Sequence, residues 1–223
     1  VTVGTPGSYT LTYSATDASG NTTTATRTVT VQDTVAPVIT LGGSGSGTVT
    51  HEGGTTYTDD VATAEDALDG AVSVTTTGSV TVGTVGDYTL TYSATDAAGN
   101  ISTATRVVTV TDTVAPVISV VDSATVTHEG GTTYTDLGVT AVDALDGSVN
   151  VTTNGTVTVG TPGVYTLTFT ATDAAGNTGA ANRTITVTDV TAPVITLSGS
   201  GTVTHEGGAT YTDAGATATD TVD

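Results

Sequence analysis

The 223-residue chain contains no cysteine, methionine or tryptophan, and its only three basic side chains besides histidine are Arg27, Arg106 and Arg183. Against them stand 22 Asp and Glu, for a net charge of −19. Each absence excludes something. Without a basic face there is nothing to neutralise phosphates, so nucleic acid is excluded as a partner, and an acidic membrane surface would repel the chain. Without cysteine no disulfide staples the fold, and no thiol is available as nucleophile or metal ligand. No apolar run reaches the roughly 18 residues that a membrane-spanning helix needs, and no signal peptide is visible. A single Phe among 28 Gly points away from helices and towards small cores.

What is present is repetition. Tyr88 to Asn100 reads Tyr-Thr-Leu-Thr-Tyr-Ser-Ala-Thr-Asp-Ala-Ala-Gly-Asn, and it recurs with small changes at Tyr9 to Asn21 and Tyr165 to Asn177. Tyr88, Leu90, Tyr92 and Ala94 alternate with hydroxyl residues, the period of two of a half-buried strand. Gly7, Gly86 and Gly163 mark the turn into each copy. Asp-x-x-Gly-Asn then ends the strand with residues that bond their own backbone and tolerate left-handed conformations. His51, His128 and His205 recur at intervals of 77 residues. That period is too long for a solenoid repeat and fits a small β-sandwich of about seven short strands.

Within one period the pattern predicts a linker at Asp33 to Pro37, kept extended by proline, and a first edge strand at Val38 to Leu41. A Gly/Ser run, Gly42 to Gly47, breaks it. Strands follow at Thr48 to Glu52, Thr55 to Ala64, Ala71 to Thr77, Val80 to Gly83, around Tyr88, and at Ser102 to Thr111. Asp66-Ala-Leu-Asp69-Gly70 is an acidic loop. The chain therefore divides into the last strands of a repeat at 1–33, complete repeats at 34–112 and 113–189, and the first strands of another at 190–223. Neither end piece can bury a two-sheet core by itself. The expectation is a window into a longer array, with ends completed by neighbouring copies or poorly packed ends as the alternatives, the piece missing between them corresponding to Gly70 to Ser79.

The Gly-x-Tyr before the penultimate strand resembles the tyrosine corner of immunoglobulin-like sandwiches. With it, Asp-Thr-x-Ala-Pro-x-Ile, Glu-Gly-Gly-x-x-Tyr-x-Asp, Asp-x-x-Asp-Gly, Gly-x-Tyr-x-Leu-x-Tyr-x-Ala-Thr-Asp-x-x-Gly-Asn and Arg-x-Val-x-Val resemble the bacterial immunoglobulin-like domains found in tandem in surface proteins and adhesins, relatives of hyalin repeats. The resemblance covers the whole chain. It implies an all-β fold of tandem immunoglobulin-like Greek-key β-sandwich domains in an elongated array, and an extracellular, calcium-stiffened, non-catalytic stalk.

In an immunoglobulin-like topology the linker, the acidic loop and the Asp-x-x-Gly-Asn turn meet at one pole. The expected calcium ligands are Asp33, Asp66, Asp69, Asp96 and Asn100 in one repeat, and Asp112, Asp143, Asp146, Asp173 and Asn177 in the next. Asp189, Asp220 and Asp223 form a partial third set, and Asp17 and Asn21 belong to a set without its linker. Calcium takes six to eight oxygens, and converging Asp without a lysine needs a cation. The competing reading is solvated turn residues. Asp59, Asp60, Asp136 and Asp213, just after the Tyr57-type segment, are further candidates.

Other motifs carry no catalysis. His-Glu is followed by Gly-Gly and no second His, so it is no zinc-protease site, and each His reads as a satisfied inward or interface residue. Each repeat's single Arg shares phase with buried valines and requires a carboxylate partner, expected at Glu65 or an Asp of the pole. No Gly-x-Ser-x-Gly is present, and the paired carboxylates recur in every repeat, as scaffold or ion ligands would. Sequons occur at Asn21, Asn100, Asn150, Asn154 and Asn182, unsurprising in a Thr-rich chain. The functional expectation is a structural repeat segment of an extracellular stalk or filament supporting adhesion or matrix, self-associating with neighbouring repeats or chains and meeting any host or matrix ligand through tip domains outside this chain. The alternative is an array of carbohydrate- or protein-binding modules on a secreted protein.

Overall fold

The computed structural model describes residues 1–43 and 47–222; the middle of the Gly/Ser run and the candidate ligand Asp223 lie outside them. The chain divides into two compact units, Val1–Thr111 and Asp112–Asp223. Every element among the described residues is a β-strand.

The first unit opens with a hairpin of β1 (Gly7–Thr16) and β2 (Thr22–Val31), in full antiparallel register from Gly7 opposite Val31 to Thr16 opposite Thr22. A seven-stranded sandwich follows. Its small sheet is β3 (Val38–Thr40), β5 (Thr63–Asp66) and β6 (Gly70–Val72). Its large sheet, in the order β4-β9-β8-β7, is built from β4 (Thr48–Glu52), β7 (Val74–Thr77), β8 (Gly86–Thr95) and β9 (Ile101–Thr111). The chain leaves the small sheet after β3 and rejoins on the other side as β4, parallel to β9.

The second unit repeats the plan. The small sheet holds β10 (Val117–Val120), β12 (Val139–Asp143) and β13 (Gly147–Ser148). The large sheet holds β11 (Thr125–Glu129), β14 (Val151–Asn154), β15 (Gly163–Thr172) and β16 (Thr178–Thr188). A short pair, β17 (Val194–Leu197) with β18 (Ala216–Thr219), closes the unit.

The alternation in the sequence decides which side is inside. Leu90, Tyr92 and Val108 form the first core, with Ile39, Tyr57 and Val74 against it. Leu167, Phe169, Ile185 and Val187 form the second. Each fully buried side chain of this size contributes about 1.5–3 kcal/mol, so so few of them leave little margin and give polar interactions inside the sandwich unusual weight. In the terminal pieces the same residue types stay exposed: Tyr13, which matches Tyr92, is half-exposed, and so are Ile195 and Leu197. The tyrosine corner forms in all three copies: the hydroxyls of Tyr9, Tyr88 and Tyr165 donate to the carbonyls of Thr5, Thr84 and Thr161 at 2.8–2.9 Å.

Three sequence expectations need correction. Thr55 to Ala64 is not a strand; only Thr63–Asp66 pairs, because Tyr57 and Asp59 turn towards Arg106 instead of joining a ladder. Val80 to Gly83 is also irregular, leading into the tyrosine-corner turn. Ala71 to Thr77 splits at Ser73, with Gly70–Val72 pairing in the small sheet and Val74–Thr77 in the large one.

Candidate cation-binding poles

The acidic turns build themselves locally. In each copy the turn's Asp accepts the Asn backbone N–H on Oδ1 at 2.7–2.8 Å and the Asn side-chain Nδ2 on Oδ2 at 2.7–2.9 Å. Gly20, Gly99 and Gly176 sit at φ 88–97° in these turns, where a side chain would be strained. The turn at Asp17 forms all of this without a linker or acidic loop beside it, so it does not depend on the pole. The Asn21 side chain chiefly holds the Asp17 carboxyl below its ordinary range. Burial would raise Asp96 and Asp173, but Asn100 and Asn177 outweigh it and both are held low.

In the first complete repeat the fold carries Asp33, Asp66 and Asp96 together, one carboxylate oxygen of each lying within 4.8 Å of the others. Asp66 is only 3% exposed. Its Oδ1 caps the acidic loop by accepting from Leu68 N and Asp69 N at 2.7 and 3.1 Å. Its Oδ2 is buried with no hydrogen-bond partner, as is Oδ2 of Asp33. Asp69 lies outside this group of three, and its Oδ2 accepts from Ala97 N at 2.8 Å. Asn100 serves as a brace: beyond Asp96, its Nδ2 reaches the carbonyls of Asp33 and Val35, each at 3.4 Å.

The second repeat groups Asp112, Asp143 and Asp146, the last standing at the position of Asp69 rather than of Asp96. Asp143 is 4% exposed and its Oδ2 has no partner. Asp146 accepts from Ala174 N at 2.7 Å, and Asn177 donates to the Asp112 carbonyl at 3.3 Å. Asp173 is buried beside them without joining the group. The third set is not assembled among the described residues: Asp189 is exposed, while Asp220 accepts from Val222 N at 2.9 Å on Oδ1 and leaves Oδ2 buried and unpartnered.

These donor sets fit a hard cation. They are all oxygen, they bring three carboxylates to within 4.8 Å of one another, and each holds a buried carboxylate oxygen with no proton donor. The arginines, the only strong bases present, are engaged elsewhere. Arg106 pairs with Asp59 at 2.5 Å and Arg183 with Asp136 at 2.5 Å. The expected partners, Glu65 or a pole Asp, are therefore wrong. Glu65 is exposed in β5, and the arginines lie in the apolar phase of β9 and β16, where the inward segment after Tyr57 and Tyr134 meets them.

Asp59 and Asp136 are consequently structural counter-ions rather than additional cation ligands. Asp60 contributes its carbonyl to Arg106 at 3.2 Å. Asp213 accepts from Gly215 N at 2.7 Å and from the Tyr211 hydroxyl at 3.1 Å. The signal for this pairing was the fixed Tyr-x-Asp spacing, which reads as a turn until the partner strand is known. The histidines conform to the satisfied reading: His51 and His128 bond the Thr55 and Thr132 carbonyls at 3.1–3.2 Å, and His51, His128 and His205 stand edge-on to Tyr57, Tyr134 and Tyr211.

With fold and poles defined, comparison with known proteins places the chain in a class. Residues 1–31, 39–110 and 118–187 match the family of bacterial surface protein Ig-like domains, and the chain belongs to that family. It is also similar, at 31% identity over 183 residues, to an uncharacterized 81.3 kDa protein of Acholeplasma phage L2; the match covers 77% of this chain and a quarter, 25%, of the phage protein. Among solved structures it is similar to the CBM51-2 in complex with GlcNAc and INT domains from Clostridium perfringens ZmpB, with 28% identity, TM-score 0.29, and 39% and 21% of the two chains covered. The M60 catalytic domain with the CBM51-1 and CBM51-2 domains of the same protein gives 15% identity and TM-score 0.43 over 85% and 35%. Among the described residues no helix is long and apolar enough to cross a membrane.

Proposed function

We propose that the chain is a non-catalytic structural segment of an extracellular surface protein, a stalk or filament of tandem repeats stiffened by calcium at the repeat poles and supporting adhesion or matrix. The observation that carries this reading is the unpartnered, buried Oδ2 of Asp66 and of Asp143, each facing two further carboxylates at the end of its repeat next to the linker. Asp33, Asp66 and Asp96 would hold the first ion, and Asp112, Asp143 and Asp146 the second. A bound ion supplies positive charge that the chain itself does not place there. In the first complete repeat it would tie the linker residue to two loops of the sandwich, and in the second to the acidic loop. Near-identical repeats suit a stalk, because each copy then does the same job.

Calcium titration of the chelator-stripped chain, followed by calorimetry and thermal unfolding, tests it. A tenfold excess over the dissociation constant adds about 1.4 kcal/mol per site, so the unfolding midpoint should rise with calcium. Neither heat nor a shift in midpoint at millimolar calcium would sink the reading.

One observation favours the alternative of a carbohydrate- or protein-binding array. An open groove of about 580 Å³ runs beside Tyr57, Asp59, Val80 and Leu90, and one of about 480 Å³ lies at the matching place beside Tyr134, Asp136, Val157 and Leu167. Glycan or peptide ligands that perturb Tyr57 and Tyr134 would support it.

A further inference from the structure

The sequence His-Glu-Gly-Gly recurs at 51–54, 128–131 and 205–208, and neither the cation poles nor the core account for its Glu and glycines. In the second unit their surroundings do. Glu129 ends β11, and its Oε1 accepts three hydrogen bonds: from Val190 N at 3.1 Å, Thr191 N at 3.2 Å and the Thr191 hydroxyl at 2.8 Å. Val190 and Thr191 are linker residues, just beyond the last strand of the complete repeat. Charge-assisted bonds of this kind are about twice as strong as neutral ones, and three converge on one oxygen.

The next two residues face the following repeat. A Cβ on Gly130 would stand 2.8 Å from the Val222 side chain, and one on Gly131 would stand 2.7 Å from the Thr221 Cβ. Gly131 is also at φ 70°, in the left-handed region. Glycine is thus required there twice, by conformation and by approach. Thr221 and Val222 belong to the loop that begins at Asp220, the counterpart of the acidic loop Asp66 to Gly70. One turn of a repeat therefore receives both the linker and the acidic loop of its successor. The linker here reads Asp189-Val-Thr, where the other two read Asp33-Thr-Val and Asp112-Thr-Val, and its Thr191 supplies the hydroxyl that Glu129 accepts.

We propose that Glu129-Gly130-Gly131 is a docking notch for the next repeat of the same chain, with Glu129 as the positioning residue that clamps the linker, independently of any cation. The joint goes beyond the calcium reading and does not rest on it.

Amide hydrogen exchange by NMR on the full chain, in chelator and in calcium, tests the notch. In chelator the Val190 and Thr191 amides should be protected, and Glu129→Ala should lower that protection by about tenfold or more. The Ile185 and Val187 amides of the core should not change. Glu129→Gln, which keeps an acceptor oxygen, should retain part of the protection, and Thr191→Val should lose only part. Free-loop exchange at Val190 and Thr191 in the unaltered chain overturns the proposal. So does unchanged protection in Glu129→Ala, or a loss that extends equally to Ile185 and Val187. Failure of the calcium reading shows separately, as the absence of calcium-induced shifts around Asp66 and Asp143.

Discussion

Arg106 and Asp59 form an ion pair 47 residues apart in sequence, with Nη1 2.5 Å from Oδ1 and the Arg side chain almost wholly buried. The pair exists because the chain changes sheets. Between β3 and β4 the backbone leaves one ladder and has not joined the next, so its carbonyls need donors. Arg106 Nη2 supplies one to Gly42 O at 2.6 Å. Arg183 does the same for Ser123 O, through Nε at 3.0 Å, and for Val121 O. The guanidinium is a donor cluster placed at the crossing, and the Asp keeps its charge tolerable inside.

Arg106→Met should therefore destabilise the repeat at 34–111 by about 3 kcal/mol, since breaking a buried pair leaves a charge uncompensated. Arg27, on the exposed face of β2, is the internal control, and Arg27→Met should stay within about 0.5 kcal/mol. Denaturant unfolding of the two variants measures both. Equal effects would remove the crossing-point role.

The second oxygen of the Asp is satisfied differently in the two repeats. Asp59 Oδ2 accepts from the Tyr92 hydroxyl at 2.7 Å. Phe169 stands where Tyr92 does, and there Gly138 N donates to Asp136 at 2.7 Å; the position of Gly138 is Val61 in the first repeat. Tyr92→Phe should cost about 1–2 kcal/mol through the acceptor left short. Val61→Gly added to Tyr92→Phe should recover part of it, and a double-mutant cycle reads the coupling. Strict additivity would show that the two devices are unrelated.

Titration should single out Tyr92. Burial, and then the hydrogen bond to the Asp59 carboxylate, push its hydroxyl up to about 12. A raised value means that its stabilising share is complete below the ordinary tyrosine value of about 10 and is lost as pH rises through the folded value. Burial and the neighbouring carboxylates Asp59 and Asp136 raise Tyr57 and Tyr134 as well, so ultraviolet titration should show a late group of tyrosinates that loses one member in Tyr92→Phe. At the acid end, burial raises Asp59 and Asp136, but Tyr92 and Tyr57 on the former and Arg183 first on the latter hold both low. Their share is present above about pH 4 and is lost as pH falls through the lowered values. Stability flat from neutral into strong acid would contradict it.

Asp66→Asn should have opposite effects with and without calcium. Without the ion, removing one of three mutually repelling, partly dehydrated charges relieves strain and should raise stability by about 1 kcal/mol. With calcium, the increment from that site should shrink or vanish. Melting curves in chelator and in calcium, compared with Asp17→Asn, decide it. A loss of stability in both conditions would make Asp66 a loop cap and nothing more.

Local features were legible in the sequence for a physical reason. A period-two strand, a tyrosine corner and an Asp-x-x-Gly-Asn turn each close their bonds within a few residues, so the residues that specify them are neighbours. The hairpin at Tyr9 to Val31 makes the point: it forms register, corner and turn with scarcely any buried core. The gathering of Asp33, Asp66 and Asp96 was readable one step further on, because strand order sets which loops share an end. The misread segments were Thr55 to Ala64 and Val80 to Gly83. Their composition is strand-like, but in the first Asp59 is held by Arg106 from across the sandwich, and that ion pair outweighs the weak preference of threonine for a ladder, while in the second Val82 O is taken by the Gly54 amide of a turn.

The sequence by itself determined that this protein is a series of β-sandwiches of one pattern, with acid concentrated at the turns and one arginine per repeat. Only the tertiary structure decided what those charges do. It gave each complete repeat's arginine to the sheet crossing and left the pole carboxylates without a base. It exchanged a tyrosine hydroxyl for a glycine amide between repeats, and it laid a linker against Glu129. Apart from the Gly138 amide, these contacts join residues tens of positions apart, 47 for Arg106 and Asp59, 33 for Tyr92 and Asp59 and 61 for Glu129 and Val190, and contacts at that range are set by packing in three dimensions rather than by local propensity.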